Sequence, residues 1–265
     1  MFIKTSRAFA ALPFALLGMM LPHTAMAVSE PVEEKELQDM SDPTAVYTQM
    51  GAGITNQGLN VKIGQTYDTK DPDTVAMNII EIQGFMGDSL GLDGNDSINS
   101  MRYRNFSLDT TTGRGAQIDI NWDFNSDMGS ASYSFMQALP KWGAVQFFPL
   151  AGVGITVRDT AKIIDQQDPD FGSAGYAIPS SFAVIGTYTK IVITEKIWLN
   201  YNPMYVKTLN SNDRVSDLSD GFQHEIAASY QINPRQNVRW FANYSDTDSN
   251  VDNDWDWRLE FNHQF

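Results

Sequence analysis

The acidic segment DTDSNVDND, residues 246–254, carries a side-chain oxygen at alternate positions. Calcium is bound by carboxylate and amide oxygens, and its binding loops often supply them from alternate residues. The EF-hand pattern also requires a glycine at the sixth position, where this segment has Val251, and a later glutamate. A solvated acidic loop is therefore the alternative to weak divalent-cation binding. The candidate ligands are Asp246, Asp248, Asn250 and Asp252.

Two histidines, His224 and His263, are the candidate acid–base groups, because the chain has no cysteine and its third histidine lies near the N-terminus. Each alternates with large apolar residues and so shares a strand face with them. A catalytic dyad needs a serine or carboxylate close by on that same face, and the pattern supplies none. Both histidines are therefore predicted to be outward-facing aromatic residues. The chain is predicted not to be an enzyme and to need no cofactor.

A second group of charges alternates with apolar residues near the C-terminus. Folding the last hairpin about Ser249 places Arg239 beside Glu260 and Arg258, on the face opposite the apolar residues. Charge on the inner face of a closed sheet either forms structural ion pairs or lines a water-filled space. The predicted polar cluster consists of Glu225, Arg239, Arg258 and Glu260.

The last eleven residues, WDWRLEFNHQF, show the kind of element that positions these charges. Large apolar side chains alternate with polar ones, which predicts a strand with one apolar and one polar face. About twelve such segments follow residue 44, and ten remain the alternative because two of them are less regular. The predicted strands are residues 45–55, 58–67, 74–86, 101–109, 115–123, 130–139, 144–157, 180–189, 196–207, 221–231, 237–245 and 253–265.

The hairpins and loops test this assignment. A turn at Asn125–Gly129 places Asp119 opposite Ser134, and a turn at Pro140–Gly143 places Phe135 opposite Pro149, so that like faces meet like. In MRYRNFSLD, either Tyr103 or Phe106 and Leu108 must face inward unless a bulge changes the phase.

Loop lengths alternate along the chain. The four longest connections, residues 87–100, 158–179, 208–220 and 246–252, all fall on the side opposite the termini. Transmembrane barrels have short periplasmic turns and longer extracellular loops.

Composition narrows the class of protein. Residues 1–27 combine Lys4 and Arg7, an apolar run and Ala25-Met26-Ala27, which predicts a secretory signal peptide cleaved after Ala27. Its removal takes the formal net charge from −14 to about −16 and argues against nucleic-acid binding. Residues 28–44 are acidic and are predicted to be a periplasmic extension preceding a single domain at residues 45–265. No second apolar run of 18 residues is present.

The C-terminal segment resembles the insertion signal of Gram-negative outer-membrane β-barrels, in which a terminal aromatic follows alternating apolar residues. The matching residues are Trp257, Leu259, Phe261 and Phe265, while His263 departs from the pattern. The resemblance implies an all-β, transmembrane antiparallel barrel in the bacterial outer membrane with both termini periplasmic. It also implies contact with lipid and lipopolysaccharide, and with the barrel-assembly machinery during biogenesis.

A twelve-stranded barrel lies between the eight-stranded barrels that side chains fill and the larger ones that leave an open channel. A small passive porin-like channel is therefore predicted, with a preference for cations because the chain is acidic. A surface-exposed structural or adhesion barrel with a plugged lumen is the alternative, and an outer-membrane hydrolase is a third. The solute and the oligomeric state stay open.

Overall fold

Twelve long strands and one two-residue strand form nearly all the secondary structure of the computed structural model, which describes residues 37–159, 175–211, 220–247 and 255–265. A single-turn helix, α1 (Gly87–Leu90), lies between β3 and β4. None of the described residues forms a helix long and apolar enough to cross a membrane. The strands are β1 (Gln49–Thr55), β2 (Gly58–Tyr67), β3 (Thr74–Phe85), β4 (Ser100–Asp109), β5 (Arg114–Asp123), β6 (Met128–Gln137), β7 (Val145–Asp159), β8 (Tyr176–Ala177), β9 (Ser180–Val192), β10 (Ile197–Ser211), β11 (Gly221–Asn233), β12 (Gln236–Thr247) and β13 (Asp256–Gln264).

The sheet closes on itself because the first and last strands pair. Gly53 of β1 lies between Asn60 of β2 and Glu260 of β13, and every neighbouring pair of strands is antiparallel. The prediction of twelve strands in a closed antiparallel barrel is confirmed, with β8 as a short addition at the end of β7. Closure leaves no free edge among these twelve strands.

The predicted hairpin registers are wrong by two residues. Asp119 pairs with Ser132 rather than Ser134, and Phe135 pairs with Ala151 rather than Pro149. In the first hairpin, Asp127 adopts a left-handed conformation, which makes the turn tighter than predicted. Since strand faces repeat every second residue, a shift of two leaves each side chain on its predicted face.

The outer face of the barrel is apolar. Side chains such as Ile120, Phe135 and Ile185 remain exposed, as expected for a surface that contacts lipid. At the end that carries the long loops, Tyr201, His224 and Tyr244 stack on one another, and Tyr244 stacks on Trp255. We call this the loop end, and the end with the start of β1 and the finish of β13 the terminal end.

The lumen is divided into an apolar and a polar part. Phe106 is buried inside the barrel, whereas the hydroxyl of Tyr103 bonds Asn78 on the outer face, 2.8 Å away. Of the two orientations that the sequence allowed for β4, the structure therefore has Phe106 facing inward and Tyr103 facing outward, and β4 contains no bulge. The inner apolar cluster comprises Met77, Ile79, Phe106, Met136, Phe148 and Leu150.

Three sets of predictions lie wholly or partly outside the described residues: the signal peptide at 1–27, the segment 28–36 of the predicted extension, and the loop residues Asp248, Asn250 and Asp252.

Candidate functional site

Three ion pairs hold most of the charge on the inner wall. Arg102 of β4 forms a two-point contact with Asp119 of β5, and Arg104 of β4 contacts Glu81 of β3. In both cases alternation along β4 brings the guanidinium group to the inner face, where the neighbouring strand offers a carboxylate.

The third ion pair spans a strand. Lys62 of β2 contacts Glu260 of β13 at 2.5 Å, across β1. An added Cβ at Gly51 would lie 3.1 Å from the Lys62 side chain, and one at Gly53 would lie 2.7 Å from Asn60 Oδ1. The sequence therefore places glycine where the side chains of Lys62 and Asn60 pass over β1 to reach Glu260. Glu260 is almost fully buried and also accepts a bond from Asn60 at 3.2 Å.

The remaining charged group surrounds Phe241. The guanidinium carbon of Arg258 lies 4.1 Å from the ring centroid, and that of Arg239 lies 4.8 Å from it. Arg239 donates to Asn200 at 2.9 Å, and Glu225 accepts from Asn202 at 2.8 Å. Arg239, Arg258 and Glu225 are therefore not neutralised by close contact in the way that the three ion pairs are.

These residues enclose a cavity of about 160 Å³. Of the polar cluster predicted from the sequence, Glu225, Arg239 and Arg258 border this cavity, and Glu260 lies beside it in contact with Lys62. Sequence reasoning missed Lys62, Glu81, Arg102, Arg104 and Asp119. The inward orientation of Glu81, Arg102 and Arg104 is hidden because the same strand faces also carry Met77, Ile79 and Phe106. Lys62 and Asp119 alternate with apolar residues, and this alternation could have shown that they face inward.

The segment before β1, residues 37–47, lies across the terminal end of the lumen, and we call it the strap. Gln38 and Gln264 exchange two hydrogen bonds of 3.1 and 2.9 Å. Met40 is buried, with its sulfur 3.4 Å from the Gln231 amide nitrogen. The sequence predicts residues 28–44 only as an extension ahead of the barrel, without contacts inside it. Met40, Ser41, Asp42 and Pro43 also border the cavity.

The strap is fastened by an ion pair between Asp39 and Lys190 of β9, at 2.8 Å. Partial burial raises the pKa of Asp39, but the hydrogen bonds from Lys190 and Ser41 outweigh it, so the pKa lies below its ordinary value of 3.8. A carboxyl group with a lowered pKa stabilises the folded state above its ordinary pKa, and this stabilisation is lost as the pH falls through the lowered value.

We therefore expect the strap to detach in acid. The ¹³C-methyl resonance of Met40 should stay at its buried position down to the ordinary pKa of 3.8 and move to a solvent-exposed position as the pH falls below it. Lys190→Met should produce the exposed position at neutral pH. Because Asp39→Asn removes the titrating group, a transition of unchanged midpoint in that variant would contradict the role of Asp39.

Both histidines lie on the outer face, as predicted. His224 Nδ1 is 3.0 Å from the Tyr201 hydroxyl, and the His263 ring is 4.7 Å from that of Phe265. No carboxylate contacts either ring among the described residues, and no group of three metal-ligating side chains occurs there. Asp246 is the described member of the predicted metal loop and lies in β12.

Comparison with solved structures places the strand arrangement in a known class. The chain is similar to an outer-membrane channel from Pseudomonas putida F1, with a TM-score of 0.54 and 8% identity, over 88% of this chain and 100% of the channel. It is also similar to the translocator domain of the autotransporter NalP from Neisseria meningitidis, with a TM-score of 0.51 and 10% identity, over 85% and 91% of the two chains. The chain has the fold of the Gram-negative outer-membrane β-barrels. No protein-family model and no curated protein matches the sequence.

The C-terminal strand of the barrel presents its apolar residues outward. Trp257, Leu259, Phe261 and Phe265 are all exposed. Their use as an insertion signal stays a prediction, as do contacts with lipopolysaccharide and the assembly machinery.

Proposed function

We propose that this barrel is a narrow passive channel of the outer membrane, with the strap across its periplasmic mouth. The proposal rests on one observation: a closed barrel with an apolar exterior encloses a cavity whose lining is rich in charge. Charged side chains persist inside a barrel when they form ion pairs or contact water. Among the described residues Arg239 and Glu225 form no ion pair, and the nearest carboxylate oxygen to Arg258 is Glu260 Oε2, at 3.6 Å. The solved structures of the same fold include a channel and a translocator domain, so the fold alone does not distinguish these functions and the proposal depends on the lining of the lumen.

The selectivity of a narrow channel depends on the charges that line it more than on the net charge of the chain. Five basic side chains border the cavity, but Lys62, Arg102 and Arg104 are paired with Glu260, Asp119 and Glu81, which leaves Arg239 and Arg258 against Glu225 and the strap residue Asp42. Because the Nε–H of Arg258 has no hydrogen-bond acceptor among the described residues, we propose that this lining favours anions, in place of the cation preference predicted from the acidic composition. The basic residues are Lys62, Arg102, Arg104, Arg239 and Arg258.

Single-channel recording in planar bilayers tests the proposal. The full-length mature protein should give small conductance steps, and deletion of residues 38–46 should enlarge them because the strap no longer narrows the mouth. The reversal potential in a salt gradient should indicate anion selectivity. Lys190→Met, which unfastens the strap but retains it, provides the matched control and should give steps of intermediate mean size.

The alternative is a plugged barrel with a structural or adhesive role. It is favoured by the strap, four residues of which border the cavity, and by the inner apolar cluster, which packs inside the barrel. A plugged barrel should remain silent even after deletion of residues 38–46, provided that the variant still shows the gel shift between unheated and boiled samples. That result would exclude the channel.

A further inference from the structure

Arg258 has hydrogen-bonding capacity that the described part of the protein does not use. Its side chain is only 15% exposed, yet no described residue accepts a hydrogen bond from it. Glu260 Oε2 lies 3.6 Å from Nε, which is beyond hydrogen-bonding distance, and Glu260 already accepts bonds from Lys62 and Asn60. A mostly buried guanidinium group with free N–H donors is energetically unfavourable unless a ligand or water satisfies it.

Arg239 lies close enough to act with Arg258. Both guanidinium groups contact Phe241, and Arg239 is bound only to neutral groups, at 3.1 Å from Ser229 and 2.9 Å from Asn200. Both guanidinium carbons lie within 4.8 Å of the centroid of the same ring, and the two like charges repel. An anion between them would relieve this repulsion and accept hydrogen bonds from both planar forks, for which a carboxylate has matching geometry.

Part of the cavity lining is apolar, beside the paired side chains of Glu81, Arg102 and Arg104. It is formed by members of the inner apolar cluster together with Tyr188. A ligand that places an anionic group against Arg239 and Arg258 would therefore have its remaining atoms against this wall. The cluster residues that border the cavity are Met77, Ile79, Phe106 and Met136.

From these two walls we infer that the cavity binds a small organic monocarboxylate with an apolar body, such as an aromatic acid. The volume of about 160 Å³ suits one such molecule. Glu225 and Asp42 both border the cavity and reduce its positive charge, so a ligand with one negative charge is repelled less than one with several. The strap residue Asp42 adds a negative charge to the cavity lining. Its Oδ1 accepts hydrogen bonds from the backbone N–H of Thr44 at 2.8 Å and from the Thr44 hydroxyl at 2.6 Å. The inference deepens the proposed function, on which its role in transport rests.

Calorimetric titration of the detergent-solubilised full-length protein with benzoate measures binding without requiring conductance. Benzoate should bind, whereas its neutral isostere benzamide and inorganic phosphate should bind at least about tenfold more weakly, since charge-assisted bonds and the apolar contact are both needed. Equal binding of benzoate and benzamide would refute the role of the arginines. Preferential binding of phosphate would refute the apolar wall, and absence of benzoate binding would refute the site.

Variants assign the binding to this cavity. Arg258→Gln should weaken benzoate binding about tenfold or more, and Arg258→Lys should have a smaller effect because it keeps the charge without the fork. Asp42→Asn, which can keep the bonds from Thr44, should strengthen binding. Lys70→Gln is the matched control, because Lys70 is an exposed cation outside the barrel. If the Arg258 variants fail to show the heat-dependent gel shift, the benzoate affinity of Asp42→Asn still tests the location of the site. An unchanged affinity in that variant would show that benzoate binds outside the cavity.

The binding of benzoate and the proposed channel function can be refuted independently of each other. Benzoate binding by a barrel that gives no conductance steps would refute the channel and leave the site. Conductance steps without benzoate binding would refute the site and leave the channel.

Discussion

Replacing Ile120 by arginine should destabilise the lipid-inserted barrel by about 2–4 kcal/mol. Ile120 lies on the outer face of β5 between Tyr103 and Ala131, and 44% of its side chain is exposed. In water such exposure would make the substitution nearly neutral, whereas in a bilayer the guanidinium group must leave the hydrocarbon or remain poorly solvated there.

Leu90 gives a matched control, because it is 46% exposed but lies in α1, outside the barrel wall. Leu90→Arg should change the stability by less than about 0.5 kcal/mol. Both variants can be measured by urea titration in lipid vesicles, with the unheated gel band as the measure of the folded fraction. Equal effects of the two substitutions would contradict residence of the outer face in lipid.

The second large effect is expected at Glu260. Glu260→Ala should destabilise the barrel by about 3–5 kcal/mol, because it leaves the Lys62 ammonium group buried without its carboxylate. Glu260 is 1% exposed, and its removal also takes a partner from Asn60. Glu260→Gln should have a smaller effect because its amide oxygen can still accept a bond from Lys62, although its NH2 group cannot accept from Asn60.

The exposed pair Asp68–Lys70 controls for the loss of an ion pair as such. Both side chains are mostly in solvent, so Asp68→Asn should change the stability little. In vesicles, the urea midpoint should therefore fall most for Glu260→Ala, less for Glu260→Gln and least for Asp68→Asn, whose carboxylate is exposed. A Glu260→Ala midpoint equal to that of Asp68→Asn would show that the Lys62 contact contributes nothing to stability.

The strands could be predicted because alternation is local. In β13, Leu259 and Phe261 alternate with Arg258 and Glu260, and this pattern fixes both the element and its faces. The polar cluster near the C-terminus was accessible for the same reason. In β4, by contrast, Arg102, Arg104 and Phe106 share the inner face, so polarity no longer distinguishes the two sides.

The strap could not be predicted from the sequence. Gln38 and Gln264 are separated by 226 positions, and no periodic pattern in residues 37–47 indicates which wall they contact. The cavity also depends on this long-range contact, since Met40 and Pro43 form part of its lining. Exact hairpin registers depend on turn conformations such as that of Asp127, which a polar sequence does not specify.

The bare backbone at Gly51 and Gly53 has a consequence for the order of assembly. Lys62 belongs to the first hairpin to be synthesised, but its partner is carried by the final strand and reaches it only over β1. Until both ends of the chain meet, that ammonium group must stay hydrated, which opposes premature packing of the nascent wall. Pairing of β1 with β13 closes the barrel and also brings Glu260 to Lys62. A chain truncated before Glu260 would therefore lack both the strand pairing that closes the barrel and the counter-ion of Lys62.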